Sequence, residues 1–138
     1  MKILGIDNKI YSWNFTKSTA QSTNASKLHL RARAILDKMF PFDIVYEEVT
    51  LPGIRSTINT RPLYADFYIH SPRIMIEVQG EQHYKFVPFF HTNRTEYFRA
   101  KKLDALKQEW CAINEICLVP LPYNESDEQW EERIRNRT

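Results

Sequence analysis

The sequence predicts an α/β domain with a mixed central sheet flanked by helices. Apolar residues recur with the helical period in some segments and with the two-residue period of strands in others. Prolines and glycines separate these segments. The 138 residues suffice for one compact core. The predicted order is α-β-β-β-α-β, followed by an extra C-terminal helix.

Residues 1–25 are expected to form an N-terminal arm ahead of a single domain of residues 26–138. Two short strands fit the arm, at residues 1–6 and 9–15. Residues 17–25 are rich in Ser, Thr, Asn and Gln, a composition typical of a linker.

Three helices follow from capping residues and apolar spacing. The first begins after Ser26, a favourable N-cap, and ends before Pro41, which lacks the N–H that a helix needs. The second is a long helix over residues 95–113. The third covers residues 126–137, with Ser126 as its cap and acidic residues in its first turn.

Four strands are predicted in this domain, at residues 44–51, 63–70, 73–79 and 116–121. The second and third are separated by a tight turn and should form a hairpin. The third is almost continuously apolar, which indicates burial on both faces and a central position in the sheet. The long helix should cross over to the fourth strand.

Charge and cysteine content set weak limits on function. The net charge is +2, but basic residues concentrate in residues 27–38 and 94–107. These segments either line a phosphate-binding face or are solvated helix faces. Cys111 and Cys117 lie among apolar residues and are expected to be buried thiols in a reducing compartment. Without a signal-peptide run or a membrane span, we expect a cytoplasmic protein that does not contact membranes.

Two carboxylates interrupt the apolar strands, Asp66 in the second and Glu77 in the third. A buried carboxylate is costly, and two on adjacent strands also repel each other. A divalent cation offsets both effects, and Mg²⁺ needs only one or two carboxylates besides water and substrate oxygens. Gln79 shares the face of Glu77 and could hold the attacking water. The alternative is that both acids pair with arginines at the sheet edge.

The spacing of these residues resembles a known nuclease signature. Asp66, an interval of eleven and then Glu77-Val78-Gln79 resemble the PD-(D/E)XK motif, and the predicted order of elements is that of the restriction-endonuclease-like fold of this superfamily. The block Ile76-Glu77-Val78-Gln79-Gly80-Glu81-Gln82-His83-Tyr84 resembles the branch related to very-short-patch repair endonucleases. Features between Phe89 and Pro122 resemble small nuclease-like proteins of phages and large viruses. The resemblance covers residues 26 to about 123.

The resemblance implies a site and an activity. It implies that Asp66, Glu77 and the carbonyl of Val78 bind Mg²⁺ or Mn²⁺, and that a phosphodiester of DNA is hydrolysed to leave a 5′-phosphate. It also places a histidine at His83, as a general acid or base; otherwise this is a loop histidine bonded to backbone.

Three positions depart from the family pattern, one of them Ala65, which stands where the family has a proline before its aspartate. Many members have lysine where Gln79 stands, and glutamine brings no charge. Lys85 or Lys107 could supply the missing cation, or either could be a solvent-exposed lysine. Several relatives carry a glutamate on the first helix where His29 stands here. This histidine either acts in the site or packs at the start of the helix.

The sequence therefore predicts a metal-dependent DNA endonuclease encoded by a phage or mobile element. The alternative is a catalytically degenerate nuclease-fold protein that binds DNA or a host protein without cleavage. A nuclease that makes paired cuts would act as a homodimer, because two strands usually need two active sites.

Overall fold

The computed structural model describes residues 1–17, 26–54, 63–81 and 94–137. The strands are β1 (Lys2–Leu4), β2 (Ile10–Ser12), β3 (Tyr46–Leu51), β4 (Leu63–Ile69), β5 (Ile74–Gln79) and β6 (Cys117–Pro122). The helices are α1 (Lys27–Met39), α2 (Arg94–Ile113) and α3 (Asp127–Arg137), and a short 3₁₀ turn covers Phe15–Lys17.

The main sheet has the order β3-β4-β5-β6. Strands β3, β4 and β5 are antiparallel neighbours, and β6 is parallel to β5, reached through α2. The sheet is therefore mixed, and β5 lies between β4 and β6, as its apolar sequence predicted. Within the described residues from 26 onward, the elements follow the predicted order α-β-β-β-α-β-α.

Helices pack on both faces of this sheet. On one face, which we call the α2 side, Trp110 and Cys111 of α2 pack against apolar residues of β3, β4 and β5. On the other face, the α1/α3 side, Leu36 of α1 and Trp130 of α3 pack against β4, β5 and β6. The α/β class with a helix-flanked mixed sheet is thus confirmed.

The N-terminal residues are built into the α2 side. Strands β1 and β2 pair as an antiparallel hairpin, so both short strands are confirmed. Trp13 is 2% exposed, and its ring centroid lies 5.1 Å from that of Trp110. The Asn114 side chain bonds both the N–H and the carbonyl of Leu4, at 2.8 and 2.9 Å. The predicted linker lies almost wholly outside the described residues, and the division at residue 25 stays a prediction.

Helix α1 is fastened to α3 by ion pairs. Ser26 caps α1, since its hydroxyl accepts a hydrogen bond from the N–H of His29 at 3.1 Å. The guanidinium of Arg31 pairs with Asp127 and lies 3.8 Å from the ring centroid of Trp130. Lys38 pairs with Glu131 at 2.9 Å. Much of the positive charge of residues 27–38 is therefore balanced within the protein.

The structure corrects one expectation about the thiols. Cys111 is buried, as predicted, but Cys117 is exposed at the start of β6; both are free. Cys117 shares a strand face with the buried Val119 and Leu121, but it is the first residue of β6 and lies at the exposed end of the strand. Among the helices of the described segments, none has the length and apolar character needed to cross a lipid bilayer.

Candidate metal centre

An irregularity shared by β3 and β4 places Asp66. The register of these strands sets Glu48 opposite Asp66, and Glu48 adopts a left-handed φ of 51°. Residues two apart on a regular strand share a face. Here Ala65 packs on the α2 side, whereas Phe67 packs on the α1/α3 side. The alternation of side chains therefore shifts by one residue at Asp66.

Strands β4 and β5 separate at the same residue. Their backbone pairing joins Phe67 to Ile76, Tyr68 to Met75 and Ile69 to Ile74, and it ends before Asp66. Oδ2 of Asp66 instead accepts a hydrogen bond from the backbone N–H of Val78 at 2.8 Å. A carboxylate thus lies in the opening between the strands, where a ladder hydrogen bond would otherwise form.

Glu77 lies beside Asp66 and is almost buried. Its side chain is 12% exposed, and Oε1 accepts a hydrogen bond from Nζ of Lys107 at 3.1 Å. Burial and the neighbouring Asp66 carboxylate raise the pKa of Glu77 to about 8, although Lys107 acts in the opposite direction. One ammonium therefore does not balance two carboxylates at this depth.

The carbonyl of Val78 lies on the same side of β5 as Asp66. The neighbouring carbonyl, that of Gln79, points toward β6, because it accepts a hydrogen bond from the N–H of Tyr123 at 2.8 Å. Backbone groups of successive strand residues point to opposite neighbours. The N–H of Val78 already bonds Asp66, so its carbonyl is directed into the same opening.

These oxygen donors fit a hard divalent cation. Mg²⁺ and Mn²⁺ prefer carboxylate, carbonyl and water oxygens, and Mg²⁺ usually retains several waters. The described residues contain no cluster of three or more His, Cys, Asp or Glu side chains suited to a metal. A cation would therefore be held by Asp66, Glu77 and the Val78 carbonyl, with water or substrate completing its shell. Its charge would offset the excess negative charge of the pair.

A cavity of about 420 Å³ opens next to this pair, between α2 and strands β5 and β6. Glu77 and Gln79 line it from β5, as expected for residues two apart on a strand. Lys107 and Gln108 line it from α2. The structure thus brings together Asp66, Glu77, Val78, Gln79 and Lys107 of the predicted site.

His29 belongs to a different cluster, on the α1/α3 side. Its Nε2 lies 2.7 Å from Oε1 of Glu47, and its ring stacks on Phe67 with centroids 4.3 Å apart. Arg33 donates two hydrogen bonds to the same carboxylate, at 2.8 and 2.9 Å. Glu47 is 4% exposed. These contacts account for His29 as a packed residue at the helix start, and its role in the site stays a prediction.

Two other candidates, His83 and Lys85, lie outside the described residues. Sequence reasoning missed Glu47, Gln108 and Arg137. The signal for Glu47 was present, since it stands in an alternating strand beside a second acid, but only the shift at Glu48 turns it toward the α1/α3 side. Arg137 reaches the cavity from the end of α3, and no local pattern predicts that.

Comparisons with known proteins identify three viral relatives. The chain is 35% identical to uncharacterized protein 307L of Invertebrate iridescent virus 6 over 65 residues, which are 47% of this chain and 33% of that protein. It is 27% identical to uncharacterized protein 033L of Invertebrate iridescent virus 3 over 101 residues, 73% of this chain and 51% of that protein. It is 32% identical to uncharacterized protein 094L of Frog virus 3 (isolate Goorha) over 83 residues, 59% of this chain and 54% of that protein.

The matched regions span between a third and about a half of the length of these relatives. No protein-family model matches the sequence, and no solved structure matches it. The names of these three relatives state no activity, and the chemistry of the site follows from its geometry.

Proposed function

We propose that this protein is a metal-dependent DNA endonuclease with a restriction-endonuclease-like, PD-(D/E)XK core. The observation that carries the proposal is the partly buried pair of Asp66 and Glu77 in the opening between β4 and β5, with a single ammonium beside Glu77. Ionising both carboxylates of such a pair is expensive unless they bind a cation.

The proposed roles follow from the contacts of each residue. Asp66, Glu77 and the Val78 carbonyl hold Mg²⁺ or Mn²⁺. The bound ion supplies Lewis acidity toward a phosphate oxygen and a water whose pKa is lowered. Gln79 shares the cavity with Glu77 and orients the attacking water through its amide.

Lys107 takes over the charge that a lysine at position 79 would bring. Its ammonium reaches Glu77 from α2 at 3.1 Å, and its side chain is 17% exposed. A cation in this place orients Glu77 and offsets charge that develops on the phosphate. This contact is the main support for an active enzyme despite Gln79.

The fold and the relatives add support of a more general kind. The three antiparallel strands, the crossover helix and the parallel last strand agree with the restriction-endonuclease-like order that the resemblance implies. All three relatives are viral proteins. Both the fold and the viral relatives fit a virus-encoded nuclease that acts in the cytoplasm of its host cell. A phage or mobile-element origin stays a prediction.

The experiment is cleavage of supercoiled plasmid and branched DNA by the purified protein, with Mg²⁺, Mn²⁺ or EDTA. We expect nicked and linear products with either metal and none with EDTA. Asp66→Asn and Glu77→Gln should lower the rate by about a thousandfold, because a metal ion contributes several kcal/mol to stabilising the transition state.

Glu132→Gln is the matched control, since it neutralises an exposed acid of α3 away from the site. It should cleave like the wild type, and all variants should unfold cooperatively. Equal cleavage by Glu77→Gln and Glu132→Gln would show that the site is wrongly assigned.

A second candidate is a catalytically degenerate protein of the same fold that binds DNA or a host protein. It is favoured by the contacts of His29, which stands where several members of the resembled nuclease family have a glutamate but is hydrogen-bonded to Glu47. Such a protein would release no cleavage product from any DNA form with either metal, and its binding would not change in Glu77→Gln.

A further inference from the structure

The cavity beside Glu77 is large enough to hold a ligand in addition to a metal ion. Its volume of about 420 Å³ lies in the range of about 300–1,000 Å³ typical of pockets for small organic molecules. A hydrated cation and a phosphate oxygen fill only part of such a space. The remaining volume is available for another part of the substrate.

The charges that line this cavity balance. Glu77 and Asp104 contribute two acids, and Lys107 and Arg137 contribute two bases. A pocket that holds only phosphates is expected to carry excess positive charge. A lining with equal numbers of acids and bases suits a neutral ligand group better than phosphates alone. One of the two basic side chains can still contact a phosphate of the DNA backbone.

The remaining lining combines apolar surface and amides. Leu118 and Pro120 of β6 form an apolar wall, and Gln79 and Gln108 bring two carboxamides from β5 and α2. A nucleobase has this combination of needs, because its faces are apolar and its edges carry hydrogen-bond donors and acceptors. Glutamine amides pair well with such edges.

Access to Glu77 also depends on how far the substrate strand can enter. The carboxylate is only 12% exposed and lies inside the cavity wall. Paired DNA is stiff over tens of base pairs and keeps its bases stacked inside the helix. Enzymes that work in recessed pockets therefore take single-stranded DNA or pull the nucleotide out of the stack.

We propose that the cavity binds one unpaired nucleotide of the cleaved DNA strand. Its base lies against Leu118 and Pro120 and bonds the amide of Gln108, while Arg137 contacts a flanking phosphate. This inference rests on the proposed function and narrows its substrate to single-stranded DNA or branched DNA with unpaired arms.

The first test is equilibrium binding, measured by fluorescence anisotropy without divalent cations. The probes are one labelled DNA sequence as a single strand, as a blunt duplex, as a fork with unpaired arms, and as a strand of abasic units. The single strand and the fork should bind about tenfold tighter than the duplex and the abasic strand, because contact with a base is worth roughly 1–3 kcal/mol.

The second test separates the cavity from the rest of the surface. Gln108→Ala should raise the Kd for the single strand, and the KM where cleavage occurs, about fivefold, the value of one hydrogen bond. Its kcat should stay unchanged. Arg137→Ala should weaken binding and reduce the salt dependence by about one phosphate contact. The controls Asn136→Ala and Arg135→Ala remove an exposed amide and an exposed arginine that do not line the cavity.

The inference is overturned if the abasic strand or the duplex binds as tightly as the single strand. It is also overturned if Gln108→Ala and Asn136→Ala have the same Kd. If no DNA form is cleaved, the proposed function fails, and the binding constants alone still decide whether the cavity takes an unpaired nucleotide.

Discussion

Two clusters of buried charge flank the same sheet, and they differ in balance. On the α1/α3 side, one acid, Glu47, meets Arg33 and His29 at 2.7–2.9 Å. In the candidate metal centre, Glu77 meets one base, Lys107, at 3.1 Å and has a second acid, Asp66, as its neighbour. Both clusters draw their residues from separate elements.

The difference appears in the pKa of each glutamate. Burial opposes ionisation of Glu47, but the hydrogen bonds from Arg33 and His29 outweigh it and lower its pKa. Burial and Asp66 raise the pKa of Glu77 to about 8, despite Lys107. The ionised form of Glu47 is therefore stabilised by the protein itself, whereas the ionised form of Glu77 is disfavoured in the metal-free protein. A buried acid indicates a ligand site when its protein partners do not neutralise it.

Neutralising each glutamate should change stability in opposite directions. Glu47→Gln should lower the free energy of unfolding by about 3 kcal/mol, because it leaves the buried His29 and the partly buried Arg33 without their acid. Glu77→Gln should raise it by about 1–3 kcal/mol at pH 8 in EDTA, because it removes a charge that burial disfavours. Urea denaturation of both variants against the wild type measures the two values.

Glu131→Gln serves as the reference for these variants. It breaks the pair with Lys38, whose side chain is 72% exposed, and should change stability by no more than about 0.5 kcal/mol. The comparison breaks down if the Glu47 and Glu77 variants shift stability in the same direction.

The stability of the metal-free protein should depend on pH, with a definite sign. The unfolded carboxyl of Glu77 ionises near its ordinary pKa of 4.5, and the folded one near 8. Between these values the folded protein binds more protons, so its stability falls as pH rises, by up to about 1.4 kcal/mol per pH unit. Above about pH 8 this contribution is constant.

Urea denaturation in EDTA across this pH range checks the sign. Glu77→Gln should flatten the fall in stability, because it removes the titrating group, whereas Glu131→Gln should keep the wild-type slope. A wild-type stability that rises steadily from about pH 5 to 8 would contradict the environment assigned to Glu77.

The helices and strands and the acid pair could be predicted from the sequence, because both depend on local patterns of residues. Apolar periodicity and capping residues located α1 and β5, and a carboxylate inside each apolar strand marked Asp66 and Glu77. The resemblance to the nuclease family also left Lys107 among the candidates for the missing cation. These features are set by residues close together in sequence.

The remaining features depend on single backbone angles and on distant elements. The left-handed φ of Glu48 shifts the alternation of β3 and turns Glu47 toward the α1/α3 side, which no periodicity predicts. His29 takes its partner from 18 residues away, so the choice between site and packing depended on the fold. Arg137 lines the same cavity as Lys107 only because the end of α3 lies beside it.

The most direct test of the central claim is a calorimetric titration of the EDTA-treated, dialysed protein with Mn²⁺. We predict that the wild type binds Mn²⁺, that Glu77→Gln and Asp66→Asn lose at least about tenfold in affinity, and that Glu132→Gln binds like the wild type. Binding should weaken at low pH, since the metal competes with protons for Glu77. Equal Mn²⁺ affinity in the wild type and Glu77→Gln would contradict the assignment of this pair as the metal centre.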